Sequence, residues 1–75
     1  MTITKRNIKL DQQQAIRFVN LANTCDFDVD ISYCHVTLDA KSLLGVMSID
    51  FRYVLTVSYY GENLRLQDFL EEHAA

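Results

Sequence analysis

The chain alternates between two hydrophobic periodicities. Near its start Ile8 and Leu10 alternate with Asn7 and Lys9, the period-two pattern of a strand with one wet face, which Ile3 would extend towards the N-terminus. From Gln12 to Asn23 the apolar residues Ala15, Ile16, Phe18, Val19 and Ala22 recur at three- and four-residue spacing. Asp11 stands where an N-cap belongs, so this segment predicts a helix. Phe27, Val29, Ile31 and Tyr33 then alternate with Asp28, Asp30, Ser32 and Cys34, the clearest strand pattern in the chain. A short run from Val36 to Leu38 follows after too few residues for a crossover, which predicts antiparallel pairing through a tight turn near Cys34-His35.

Ser42 precedes Leu43, Leu44, Val46, Met47 and Ile49, a segment of helical length that is apolar over more of its circumference than one core-facing stripe requires. With Val46 and Ile49 facing inwards, Leu43, Leu44 and Met47 form a small apolar patch beside Ser42. Tyr53, Leu55, Val57 and Tyr59 predict a last strand, Gly61 a turn, and Leu66, Phe69, Leu70 and His73 one face of a last helix. The order is βαββαβα, which predicts an α+β fold: a four-stranded, mostly antiparallel sheet with three helices on one face.

The 75 residues, 49% apolar and 23% charged, predict a single domain spanning 1–75. Folding at this length buries only about 60% of the unfolded chain's surface, leaving little space for a deep substrate cavity, so function is expected at the surface. A net charge of −3 and a pI near 5.1 give no global attraction to nucleic acid or anionic lipid. Tyr53, Tyr59 and Tyr60 are unaccompanied by a basic groove, so base stacking is set aside and packed or half-exposed strand aromatics are expected. Cys25 and Cys34 lack metal-type spacing and secretory context, which predicts reduced thiols. With no signal-like or membrane-length apolar run, a cytoplasmic protein with no membrane partner is expected.

The segment Ala40-Lys41-Ser42-Leu43-Leu44-Gly45-Val46-Met47-Ser48-Ile49 resembles the second-helix motif of the phosphocarrier protein HPr family, most closely its Gram-positive type. The spacing from Ala15 through Phe18-Val19, across the Val29-to-Ile31 strand, to Lys41-Ser42 follows the same pattern, and Gly61-Glu62 resembles the turn before the family's last helix. The segment after Ile49 is slightly shorter than the family's. The resemblance covers nearly the whole chain. It implies an HPr-like open-faced β-sandwich and a place in the sugar phosphotransferase system, where HPr passes phosphate from enzyme I to sugar-specific enzyme IIA proteins.

The family's acceptor histidine lies in a Gly-Leu-His-Thr/Ala-Arg-Pro-like stretch, which here corresponds to Lys9-Leu10-Asp11-Gln12-Gln13-Gln14. By the resemblance Asp11 stands for the histidine, Gln13 for the arginine that steadies the phosphoryl group, and Gln14 for the proline. Asp11 supplies no imidazole nitrogen, so the resemblance implies a chain related to the paralogues whose active histidine is replaced. Asp11 is a helix cap or, alternatively, an acyl-phosphate acceptor. The second role needs a nearby cation, and Lys9 is the one basic residue close in sequence. His35, in the hairpin, and His73, in the last helix, cannot substitute for the lost histidine from those positions, and both are expected to face solvent or to be partly packed.

In the Gram-positive family the serine aligned with Ser42 is the target of HPr kinase, and the phosphorylated form helps a catabolite-control transcription factor bind DNA. The resemblance therefore implies a non-enzymatic regulatory module without a cofactor or metal, switched by a phosphate at Ser42 beside Leu43, Leu44 and Met47. The degenerate loop Asp11, Gln12, Gln13 and Gln14 would join this protein-binding surface, with Arg17 as a basic contact. Expected partners are HPr kinase, a catabolite-control transcription factor or phosphotransferase-system enzymes, with no direct nucleic-acid contact, on a monomer or weak dimer. Two plainer readings stand beside this one. Ser42 would only cap its helix and the patch would be core or dimer contact, or the chain would be a degenerate structural module that retains the fold alone.

Overall fold

The computed structural model describes residues 2–75. Its elements are β1 (Thr4–Ile8), α1 (Gln12–Ala22), β2 (Val29–Tyr33), β3 (Val36–Asp39), α2 (Leu43–Met47), β4 (Leu55–Tyr59) and α3 (Leu64–Glu72). The predicted order βαββαβα is therefore present, and among the described residues the four-stranded sheet is antiparallel throughout, in the order β1-β4-β2-β3. The last strand occupies the slot between the first two, with Val57 opposite both Arg6 and Ile31.

One sheet face is covered. Ile8, Val29, Ile31, Leu55, Val57 and Tyr59 are buried on it, against Ala15, Phe18, Val19 and Ala22 of α1, Val46 of α2, and Leu66, Phe69 and Leu70 of α3. The other face carries Asn7, Thr56, Ser32 and Thr37 in one cross-strand row. This polar row follows from the period of two: each residue between two core residues must point away from the helices. The Thr56 hydroxyl donates to Asn7 Oδ1 at 3.0 Å across the row.

Several boundaries depart from the pattern-based expectation. Leu10 is buried but lies beyond β1, where the chain turns into α1, and Tyr53 precedes β4. Phe27 precedes β2 and stacks on Tyr59 at 5.5 Å between centroids. Ile16 was expected on the buried stripe of α1, but it is exposed because the stripe needed by one sheet is narrower than the run of apolar residues. The expected helix to Ile49 ends at Met47: the amides of Ser48 and Ile49 turn back to the carbonyls of Gly45 and Val46, three residues earlier. The Ser48 hydroxyl also donates to the Gly45 carbonyl at 2.6 Å.

The β2–β3 hairpin turns at Cys34, whose φ of 52° lies in the left-handed region. Gly61 turns the chain between β4 and α3 at φ 146°, where a Cβ would lie 2.4 Å from the Phe27 ring. Gly61→Ala is therefore expected to cost about 2–3 kcal/mol, through backbone strain and displacement of the Phe27–Tyr59 stack. Urea unfolding would show this as a lower midpoint with an unchanged slope.

Candidate functional site

The mouth of α1 is organised by its own first turn. Asp11 is the N-cap, its Oδ1 accepting from the Gln14 amide at 2.8 Å while Gln14 Oε1 accepts from the Asp11 amide at 2.9 Å. This reciprocal capping box satisfies two amides that the helix itself leaves unpaired. Sequence reasoning placed Asp11 at the cap and missed the role of Gln14, although the Asp-x-x-Gln spacing was available as a signal. Gln12 and Gln13 are exposed beside it.

Lys9 does not pair with Asp11. Its ammonium donates to the carbonyls of Phe51, at 3.3 Å, and Arg52, so it ties the approach to α1 to the loop between α2 and β4. These partners lie more than forty positions away in sequence, which is why periodicity carried no sign of them. In the same loop Arg52 grips Asp50, with the nearest approach 2.6 Å. Hydrogen bonds from the Arg52 side chain and amide, with its positive charge, hold the Asp50 carboxyl at a pKa of about 2, against 3.8 for the free group.

Ser42 caps α2, but loosely: the Gly45 amide is 3.4 Å from its hydroxyl. The serine is exposed, Leu43 and Leu44 are 47% and 88% exposed, and Met47 is partly buried against the core. The anticipated patch therefore divides into two projecting leucines and a methionine that roots them.

Asn23 closes α1 and donates to the Lys41 carbonyl at 3.1 Å, so Ser42 sits at the C-terminal end of α1 whereas Asp11 opens its N-terminal end. Those ends are roughly 18 Å apart at the helical rise. Asp11–Gln14 and Ser42 thus lie at opposite ends of the α1–α2 layer, with α2 and its following loop running between them. Arg17 lies on the α3 side of α1, its guanidinium over the Phe69 ring at 5.5 Å. His73 caps the C-terminus of α3 and stacks on the same ring, while His35 is exposed in the β2–β3 turn. Both cysteines are free thiols, Cys25 buried and Cys34 exposed. Among the described residues no His, Cys, Asp and Glu group is arranged to hold a metal, and no helix is long and apolar enough to cross a membrane.

A four-stranded antiparallel sheet with helices on one face and the other face open defines a small open-faced α+β sandwich. The chain belongs to the HPr family: the family described as "PTS HPr component phosphorylation site" matches residues 2–63. Members of that family are phosphocarriers rather than catalytic enzymes. The fold is similar to the phosphocarrier protein HPr from Bacillus anthracis, with a TM-score of 0.72 and 21% identity over 97% of this chain and 99% of that one. HPr from Thermoanaerobacter tengcongensis matches with a TM-score of 0.72 and 24% identity, over 96% of this chain and 93% of that one. The catabolite repression protein Crh of Bacillus subtilis, described as a domain-swapped, intertwined dimer, matches with a TM-score of 0.62 and 25% identity, over 92% and 87% of the two chains. No curated protein matches in sequence.

Asp11→Ala removes the half of the capping box in which Asp11 Oδ1 accepts from the Gln14 amide and is expected to cost about 1 kcal/mol, read as a lower urea midpoint. The Asp50–Arg52 contact makes a separate, pH-dependent prediction. Because the folded-state pKa is lowered, the contact stabilises the fold above the unfolded carboxyl's value near 3.8, and this contribution fades as pH falls towards about 2. NMR titration is expected to place Asp50 near 2 in the native protein and higher in Arg52→Gln, still below 3.8 because the backbone amide of residue 52 continues to donate to the carboxylate.

Proposed function

We propose that this HPr-family chain lacks the phosphoryl-accepting histidine at the mouth of α1 and acts as a regulatory protein-binding module, switched by phosphorylation of Ser42 in carbon catabolite control. The observation that carries this reading is the state of Ser42: an exposed hydroxyl held by one long hydrogen bond, next to two projecting leucines. Such a hydroxyl can leave its capping position at small cost, whereas a short, buried cap would resist a kinase. The added phosphate would bring about two negative charges and three acceptor oxygens beside Leu43 and Leu44. A partner carrying an arginine next to an apolar pocket would then recognise charge and grease together.

Asp11 as an acyl-phosphate acceptor is disfavoured by its surroundings. Its carboxylate is committed to the Gln14 amide, and the nearby ammonium of Lys9 is committed to the carbonyls of Phe51 and Arg52. A phosphoryl group there would face an anion with no cation to screen it. The partners this reading calls for are HPr kinase, a catabolite-control transcription factor and enzymes of the phosphotransferase system. The resting state is taken as a monomer or weak dimer, the intertwined Crh dimer marking how far a similar fold can go.

Incubation with HPr kinase and ATP, followed by mass spectrometry, is expected to show one phosphate on Ser42 that is absent from Ser42→Ala. An unmodified protein, with HPr phosphorylated in the same reaction, would overturn the reading. Leu44→Asp is expected to weaken binding of the phosphorylated form to the transcription factor by about tenfold, or roughly 1.4 kcal/mol, measured by calorimetry.

A further inference from the structure

Helix α3 carries its charges against its own dipole. Arg65 stands in its first turn and Glu71 and Glu72 in its last, with no acidic residue in the first turn and no basic one in the last. The partial charges at helix ends favour the opposite arrangement. Asp68 and Glu72 add a like-charge pair four residues apart on one face. These local choices weaken the isolated helix, and such choices persist where they serve a contact outside the element.

Arg65, Asp68 and Glu72 follow one another at three- and four-residue spacing, so they line a single stripe. With Arg17 and Leu21 of α1 the stripe borders a shallow groove between α1 and α3, in which the Arg17 guanidinium lies over the Phe69 ring. Among the described residues none of these four charged side chains is held in an ion pair. Two guanidiniums and two carboxylates cancel, so this face can approach a second copy without the repulsion that the chain's net charge of −3 imposes elsewhere. Leu64, 76% exposed at the head of α3, adds an apolar side chain at the rim.

We propose that this groove is a self-association surface, on which a second copy of the chain docks about a twofold axis with the two α3 helices antiparallel. Arg65 and Glu72 lie about two helical turns apart on the stripe, so an axis midway between them sets Arg65 of each copy opposite the partner's Glu72. Each end of α3 then meets the opposite end of its partner, and charges that oppose their own dipole face a complementary one. Asp68 falls near the axis, where the Arg17 guanidiniums offset the two carboxylates. The surface is small and polar. Two short helices per copy bury less than about 1,200 Å² in total, the size of transient contacts, so the association is reversible and weak. It is independent of the Ser42 switch, because Ser42 and Leu44 belong to α2, outside the groove, and stay free in the pair.

Sedimentation velocity of the full chain at low salt is expected to show a monomer–dimer equilibrium with a Kd on the order of 100 μM, weakened by about 0.5 M NaCl. Arg65→Glu and Glu72→Arg are each expected to weaken the dimer by about tenfold or more. An equimolar mixture of the two variants regains it, because one chain then offers only carboxylates to the ion pairs and the other only guanidiniums. The double variant Arg65→Glu, Glu72→Arg regains it alone. Both substitutions agree with the α3 dipole, so urea midpoints no lower than the native chain's are expected, and a lost dimer is not a lost fold. A chain that stays monomeric to about 1 mM overturns the proposal and leaves the groove to a different protein. So does a dimer that survives both reversals, which sits on another face, strand exchange included, and so does a mixture of the variants that fails to pair. Labelling of Ser42 by HPr kinase and ATP is read separately, so each reading fails alone.

Discussion

The insertion of β4 between β1 and β2 is the contact on which the rest of the molecule depends. Leu55, Val57 and Tyr59 reach their partners Ile8, Arg6 and Thr4 on one side and Ile31 and Val29 on the other, and until they arrive neither earlier strand has a neighbour on its inner edge. The pairing is antiparallel on both flanks, so β1 and β2 run parallel to each other and α1 must cross over between them. Such long-range pairing is slow to form because a loop of nearly fifty residues closes before any contact rewards it. Once formed, it places the loop after α2 against Lys9 and the end of α3 against β1.

Those placements leave the capped helix termini at the surface. The covered face of the sheet is consumed by the core, and the open face carries the polar row Asn7, Thr56, Ser32 and Thr37. Helix ends remain as the places where polar groups project with backbone amides or carbonyls still free. Asp11 uses its end for a reciprocal cap, Ser42 holds its own loosely, and His73 uses the Phe69 carbonyl to fix its ring.

Similarity to the HPr proteins at 21% and 24% identity concerns the fold, and the family match supplies the phosphocarrier class. At the mouth of α1 the neighbours show a cap: the Asp11 carboxylate accepts from the Gln14 amide, and the Lys9 ammonium is turned to the carbonyls of Phe51 and Arg52.

The amino-acid pattern by itself determined the identity and order of all seven elements, the inward face of β2 and β4, and Asp11 and Ser42 as caps, because periodicity and capping are local properties. It also carried the resemblance in the Ala40–Ile49 segment. It overextended α2 and left Leu10, Phe27 and Tyr53 on strands they flank, since an apolar residue satisfies the core equally well from a loop. The slot taken by β4, the grip of Lys9 on the loop after α2, the turning of Arg17 towards α3 and the docking of His73 beside β1 were decided only by the tertiary structure. Each joins residues separated by tens of positions, and such contacts leave no trace in the spacing of apolar side chains along a single chain.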